Sequence, residues 1–264
     1  MADISTEHLD STRAKRLAAV LNAGSEALFQ LILETDQELL ETLLHNPNLG
    51  DKHLLALLKR RDLPEHIPKR IYQQRQSDMS HALLLALTKN PTTPGSLVRN
   101  LLPRLRLFEL VDICYLPGGT PDQKLAAERA ILLRLPTMPL GNKITLARRA
   151  TAAVVGEILK EGDPRTLEAC LNNPRLKEAA VYQFLTGSRA TATTISMIAR
   201  HSRWQQRPNL RLAILKNRQT PTVWFTLWLP KLPIGVLNQL LSTRRLSPPQ
   251  KKAIRLELHH RGLK

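Results

Sequence analysis

Apolar residues along this chain recur at helical spacing. Leu97, Leu101 and Leu102, then Leu105, Phe108 and Val111, form one such stripe, as expected where one face of a helix is buried. No stretch sustains the apolar–polar alternation of a half-buried strand. The periodic segments are short, and Pro, Gly or Asn closes each of them. The pattern predicts an all-α chain of short helices joined by tight turns.

Residues 87–102, LTKNPTTPGSLVRNLL, show the joint at its clearest. Asn90 is expected to close one helix in the left-handed conformation. Pro91 cannot continue that helix, because it lacks an N–H and its ring clashes with the preceding turn. Thr93 is expected to cap the next helix and Pro94 to be its first residue, where a missing N–H costs nothing. Similar stretches begin at residues 43 (LLHNPNLGDKHLLALL), 132 (LLRLPTMPLGNKITLA), 170 (CLNNPRLKEAAVYQFL) and 214 (ILKNRQTPTVWFTLWL). Pro47, Pro91, Pro136, Pro174 and Arg218 occupy matching positions, with spacings of 44, 45, 38 and 44 residues. A period near 43 lies within the roughly 40–47 residues of HEAT and armadillo units. Three more helix starts are predicted at Thr120-Pro121, Asp163-Pro164 and Ser247-Pro248-Pro249.

The expected fold is a HEAT-like α-solenoid of about five two- to three-helix repeats, because a helix pair cannot bury its apolar stripe alone and neighbours must stack. A single helical-repeat domain spans 1–264. Residues 1–45 form an acidic N-terminal cap, 46–246 the repeats, and 247–264 a basic C-terminal capping helix. The joints at Asn46-Pro47, Asn90-Pro91-Thr-Thr-Pro94, Asn173-Pro174 and Asn217 to Pro221, with the leucines after them, resemble the HEAT-like and leucine-rich-repeat-variant proteins of bacteria. The resemblance covers roughly residues 35–262 and implies architecture. One type in that group carries a cysteine-ligated iron–sulfur cluster, but this chain has no cysteine cluster. HEAT-like folds also include DNA glycosylases with a basic concave face, and none of their functional residues maps onto a local motif here.

Composition agrees with the helical reading: aromatics make up only 4% of the residues, and aromatics favour strands. Two cysteines far apart, Cys114 and Cys170, offer no metal-ligand spacing and are read as buried thiols. The N-terminus lacks the basic and apolar regions of a signal peptide. No apolar run approaches the length of a membrane span. The expected location is the cytoplasm, with no membrane partner.

Charge adds the functional clue. The net charge is +17, and residues 201–264 contain thirteen Lys and Arg against one acid, Glu257, whereas residues 1–50 carry a net −5. Such a basic region attracts polyanions. The expected function is a non-enzymatic binding scaffold that docks nucleic acid or another polyanion. The expected contacts are Arg148, Arg149, Arg203, Arg207, Arg211, Arg244, Arg245, Lys251, Lys252 and Arg255. An adaptor for an acidic protein or peptide is the alternative, and pairing of acidic N-terminal with basic C-terminal regions would permit self-association. A HEAT-like DNA glycosylase is the minor alternative, with Asp112 as a lone acid in the groove. Trp204, Trp224, Phe225 and Trp228 either stack exposed bases or pack the core. The histidines show no chelating pattern, and neither a P-loop nor a nucleophile elbow is present. No catalytic residue, metal or cofactor is assigned.

Overall fold

A computed structural model describes residues 3–262, with side chains described from residue 12 onward. Asp3, Glu7, His8 and Asp10 of the acidic segment therefore lie outside the described side chains. The described residues are all-α, with no strand among them. The chain divides into two compact units, 1–131 and 132–264. The first contains α1 (Asp3–Leu21), α2 (Ser25–Leu31), α3 (Gln37–Leu43), α4 (Asp51–Leu57), α5 (His66–Arg75), α6 (His81–Lys89), α7 (Gly95–Leu101), α8 (Leu107–Cys114) and most of α9 (Pro121–Arg134). The second contains α10 (Leu140–Arg149), α11 (Ala152–Glu161), α12 (Pro164–Asn172), α13 (Glu178–Thr186), α14 (Ala192–Arg200), α15 (Ser202–Gln205), α16 (Pro208–Lys216), α17 (Thr222–Trp228), α18 (Ile234–Leu241) and α19 (Pro248–His260).

Within each unit a helix packs on the next and on the one after it. Contacts join α1 to α3, α2 to α4 and α4 to α6 in the first unit, and α10 to α12, α11 to α13 and α12 to α14 in the second. The contact faces are aliphatic: Leu40, Leu54, Leu57, Ile67, Ile71, Leu83 and Leu87 are almost completely buried. In the last part of the second unit, Leu215, Phe225, Leu229, Leu237, Leu240 and Ile254 form one cluster. Each such side chain contributes about 1.5–3 kcal/mol by leaving water.

The helix starts follow the local chemistry. Thr120 Oγ1 accepts the N–H of Gln123 at 3.1 Å, and Gln123 Oε1 accepts that of Thr120 at 2.9 Å, a reciprocal cap for α9. Asp163 Oδ1 accepts the N–H of Arg165 at 2.9 Å, with Pro164 at the first position of α12. Gly162, at φ +72°, ends the preceding helix in the left-handed region.

The joints differ from expectation in mechanism. Asn90 is extended (φ −70°, ψ 127°), and no described non-glycine residue has positive φ. Its side chain does the work. Asn90 Nδ2 donates to the carbonyls of Leu58 (2.9 Å) and Arg60 (2.7 Å) beyond the end of α4, and Oδ1 accepts from the N–H of Thr92 (2.9 Å). A helix end leaves its last carbonyls without intrahelical donors, and this amide supplies them from about thirty residues downstream. Asn46 does the same for Val20 and Ala23, Asn173 for Ala147 and Ala150, and Asn217 for Leu185. In all four, Oδ1 accepts the N–H two residues on. Thr93 is not a cap: its hydroxyl donates back to Leu87 O at 2.7 Å, and Pro94 takes the N-cap position before Gly95.

The stretch at 132–147 is a different joint. Leu135 stands where the others have Asn, and Leu135–Thr137 is a turn of 3₁₀ helix. Its counterparts are the 3₁₀ turns Leu102–Arg104 and Leu229–Lys231, all reading Leu-Pro-x. Prolines alone made it look like a fifth copy.

The four true joints fall in a longer pattern. Adding 127 to a residue number carries the first unit onto the second. Asn46 falls on Asn173, Asn90 on Asn217, and α6, α7 and α8 fall on α16, α17 and α18 end for end. Gln123, which donates to Thr88 O and Asn90 O, falls on Gln250, which donates to Asn217 O, Arg218 O and Thr220 O. Thr93, bonded to Leu87 O, falls on Thr220, bonded to Ile214 O. Over these elements the two units match.

Candidate polyanion interface

Three interhelix joints of the second unit lie side by side. Asn217, between α16 and α17, donates to Leu185 O at the end of α13. Gln250, in the first turn of α19, donates to three carbonyls of the same joint. These amides hold Thr186–Ser188, Lys216–Arg218 and Ser242–Ser247 along one cleft of about 1040 Å³. Lys216, Arg218, Arg244 and Arg245 line it, and no Asp or Glu does. None of the four cations takes part in an ion pair among the described residues. Arg218, Arg244 and Arg245 are exposed, and Lys216 is half-buried. The N-terminus of α19 opens onto the same space through Ser247 and Pro248 and adds the positive end of a helix dipole.

The absence of acids follows from sequence: residues 179–256 contain no Asp or Glu. Guanidinium groups with no internal partner are well suited to phosphate, which they can bind through two parallel hydrogen bonds.

The matching region of the first unit is shut. Arg61 falls where the second unit has Ser188, and its Nη2 donates to Pro117 O at 3.0 Å across the joint that matches Ser242–Ser247. Gly118, at φ +72°, lets the guanidinium lie against the backbone, and a Cβ at that position would overlap it. In the second unit Arg244-Arg245 replace Pro117-Gly118, and the bridging arginine is reduced to a serine. One copy is bridged by its own cation; in the other, four cations line the cleft with no ion pair among the described residues.

Of the residues expected to bind nucleic acid, Arg244 and Arg245 are in the cleft. Lys251, Lys252 and Arg255 lie on α19, whose first turn forms its edge. Arg148 and Arg149 are exposed at the end of α10, and they do not line it. Three others serve the fold. Arg203 donates to the carbonyls of Asn173, Pro174 and Leu176 and stacks over Trp204 at 4.2 Å. Arg75 repeats part of that clamp with Leu49 O at 2.7 Å. Arg207 pairs with Glu178 at 3.9 Å, and Arg211 donates to Gln205 O and lies over Trp228. The sequence reading missed Lys216, Arg218 and Tyr182. Tyr182 of α13 is 46% exposed at the cleft wall.

The tryptophans are mostly core. Trp204 is buried and donates to Leu171 O, and Trp224 donates to Ser196 Oγ. Trp228 packs at 5.2 Å from Trp224. Cys114 and Cys170 are free, and burial pushes both thiols up to about 12, which keeps them protonated at neutral pH. Among the described residues no group of His, Cys, Asp and Glu is arranged to hold a metal ion, and no helix is long and apolar enough to cross a membrane. Comparison with family models, curated proteins and solved structures gave no match.

Proposed function

We propose that the chain is a non-enzymatic scaffold of the HEAT-like solenoid type whose second unit docks nucleic acid or a similar polyanion. The helix-on-next-but-one contacts within each unit support the solenoid reading. The observation that carries the function is the convergence of Lys216, Arg218, Arg244 and Arg245 on one acid-free cleft. Paired arginines beside a helix N-terminus suit phosphate and carboxylate alike, so competition by an acidic peptide separates the nucleic-acid reading from the adaptor reading.

The test is a titration of the protein into a short fluorescein-labelled oligonucleotide, followed by anisotropy at several salt concentrations. If the four cations each neutralise one phosphate, log K should fall against log salt with a slope of about −3. The double variant R244E/R245E should bind at least tenfold more weakly. Unlabelled poly-glutamate should compete poorly. Absence of binding at low salt overturns the proposal, and equal competition by poly-glutamate shifts it to the adaptor reading.

A further inference from the structure

Tyr182 has a position that electrostatics does not require. It stands on α13 where two adjoining clefts meet. One is the basic cleft; the other, of about 760 Å³, is lined by Glu178, Gln183, Asn209, Leu212 and Lys216 among others. Tyr182, Thr186, Ala213 and Lys216 line both, so the two form a continuous groove along α13 and α16. The Tyr182 side chain is 46% exposed, and its ring and hydroxyl have no partner among the described residues. Core aromatics of this unit look different: Phe225 and Trp204 are buried, and Trp204 has bonded its polar atom.

We infer that the groove takes single-stranded nucleic acid, with a base stacked on Tyr182 and the neighbouring phosphates on Lys216, Arg218, Arg244 and Arg245. The inference rests on the polyanion reading and narrows it. An unpaired base exposes its π-face to an aromatic side chain, whereas a base inside a duplex already stacks on its neighbours. A concave groove whose cations lie on two adjacent joints follows one flexible backbone; a rigid duplex presents a convex surface with two. The aliphatic floor at Leu212 and Ala213 gives the base an apolar surface beside the ring. Glu178 in the second cleft is opposed by Arg207 at 3.9 Å, so the negative charge there is partly balanced.

The experiment measures anisotropy with labelled oligo-U and oligo-dT of equal length, a duplex of the same length, and a reduced abasic strand that keeps the phosphates and lacks the bases. The single strands should bind at least tenfold more tightly than the duplex, the RNA and DNA arms showing whether the 2′-hydroxyl matters. Y182A should weaken binding of the single strands about tenfold or more, as expected for loss of one stacked base. Y182F keeps the ring and should bind as the parent does. On the abasic strand, Y182A and the parent should bind equally, which separates stacking from a general effect on the groove; circular dichroism checks that each variant folds. If the duplex binds as well as the single strands, or if Y182A is neutral while R244E/R245E loses binding, the single-strand inference fails and the polyanion reading stands. If nothing binds, both fail.

Discussion

The substitution Asn90→Ala tests the joint mechanism directly. Asn90 is 2% exposed. Its amide donates to Leu58 O and Arg60 O and accepts from the N–H and hydroxyl of Thr92, all between 2.7 and 2.9 Å. Net hydrogen-bond contributions cluster near 1 kcal/mol each, and carbonyls left unsatisfied in a buried setting cost more. Four bonds, of which the Thr92 hydroxyl can replace one through water, give a loss of about 3 kcal/mol. Asn217 at the matching position is half-buried, with one amide donation and one acceptance, the latter exposed and replaceable by water, so Asn217→Ala should cost about 1 kcal/mol on the same scale. Asn90→Asp is the sharper variant. It keeps the size and both oxygens, but it removes both donors and turns an oxygen toward two carbonyls. It should be at least as destabilising as alanine. Urea denaturation followed by far-ultraviolet circular dichroism gives the magnitudes. Hydrogen exchange read by mass spectrometry gives the location, because protection should fall at Thr92 and in the last turn of α4. If Asn90→Ala loses less than about 1 kcal/mol, or if Asn90→Asp is neutral, the side chain does not cap α4.

Two further outcomes follow from residues outside the groove. Gly162→Ala should destabilise the protein by about 2 kcal/mol in the same denaturation assay, because the residue is left-handed and a Cβ would sit 2.9 Å from Arg189 O; Gly141→Ala, with nothing within 4 Å, should be neutral or slightly stabilising, and equal effects at the two sites would sink the argument. His201 has its pKa lowered, first by burial and then by the nearby Arg203, so its folded midpoint lies below its unfolded one and the stability it confers at neutral pH is lost as pH falls from about 6.5 through the folded value; nuclear magnetic resonance should place the imidazole midpoint below about 6.5, and a value at or above that refutes the assignment.

The sequence discloses what is decided locally. Thr120-Pro121, Asp163-Pro164 and Ser247-Pro248 start helices because cap and first turn are chain neighbours. Asn90 shows where local reasoning stops: its position in a joint was legible, but its conformation was set by carbonyls some thirty residues upstream. Pro136 misled for a related reason. Proline marks an interruption, yet the residue that distinguishes one joint from another is the Asn before it, and Leu135 stands in that place. Arg203 looked like a surface cation because its acceptors are backbone carbonyls 27 to 30 residues away. The groove was the least legible part. Its residues come from three separate joints, and only their packing makes Lys216, Arg218 and Tyr182 neighbours of Arg244 and Arg245. Two signals were present in the letters nonetheless: the run without carboxylates from 179 to 256, and the self-similarity at 127 residues.

That self-similarity gives the closed Arg61 joint a wider meaning. A repeated unit permits divergence, because one copy can keep an inherited shape while the other changes. Here α6 to α8, the Asn amide caps and the 3₁₀ turns at Leu102 and Leu229 recur on both sides. Most letters differ at that offset, and two exchanges bear on the cleft: that between Arg61 and Ser188 and that between Pro117-Gly118 and Arg244-Arg245. Neither exchange touches a buried leucine. A molecule built this way can differ in the hollow between its two copies through loop residues alone, and the bridged copy in the same chain serves as an internal comparison for the open one.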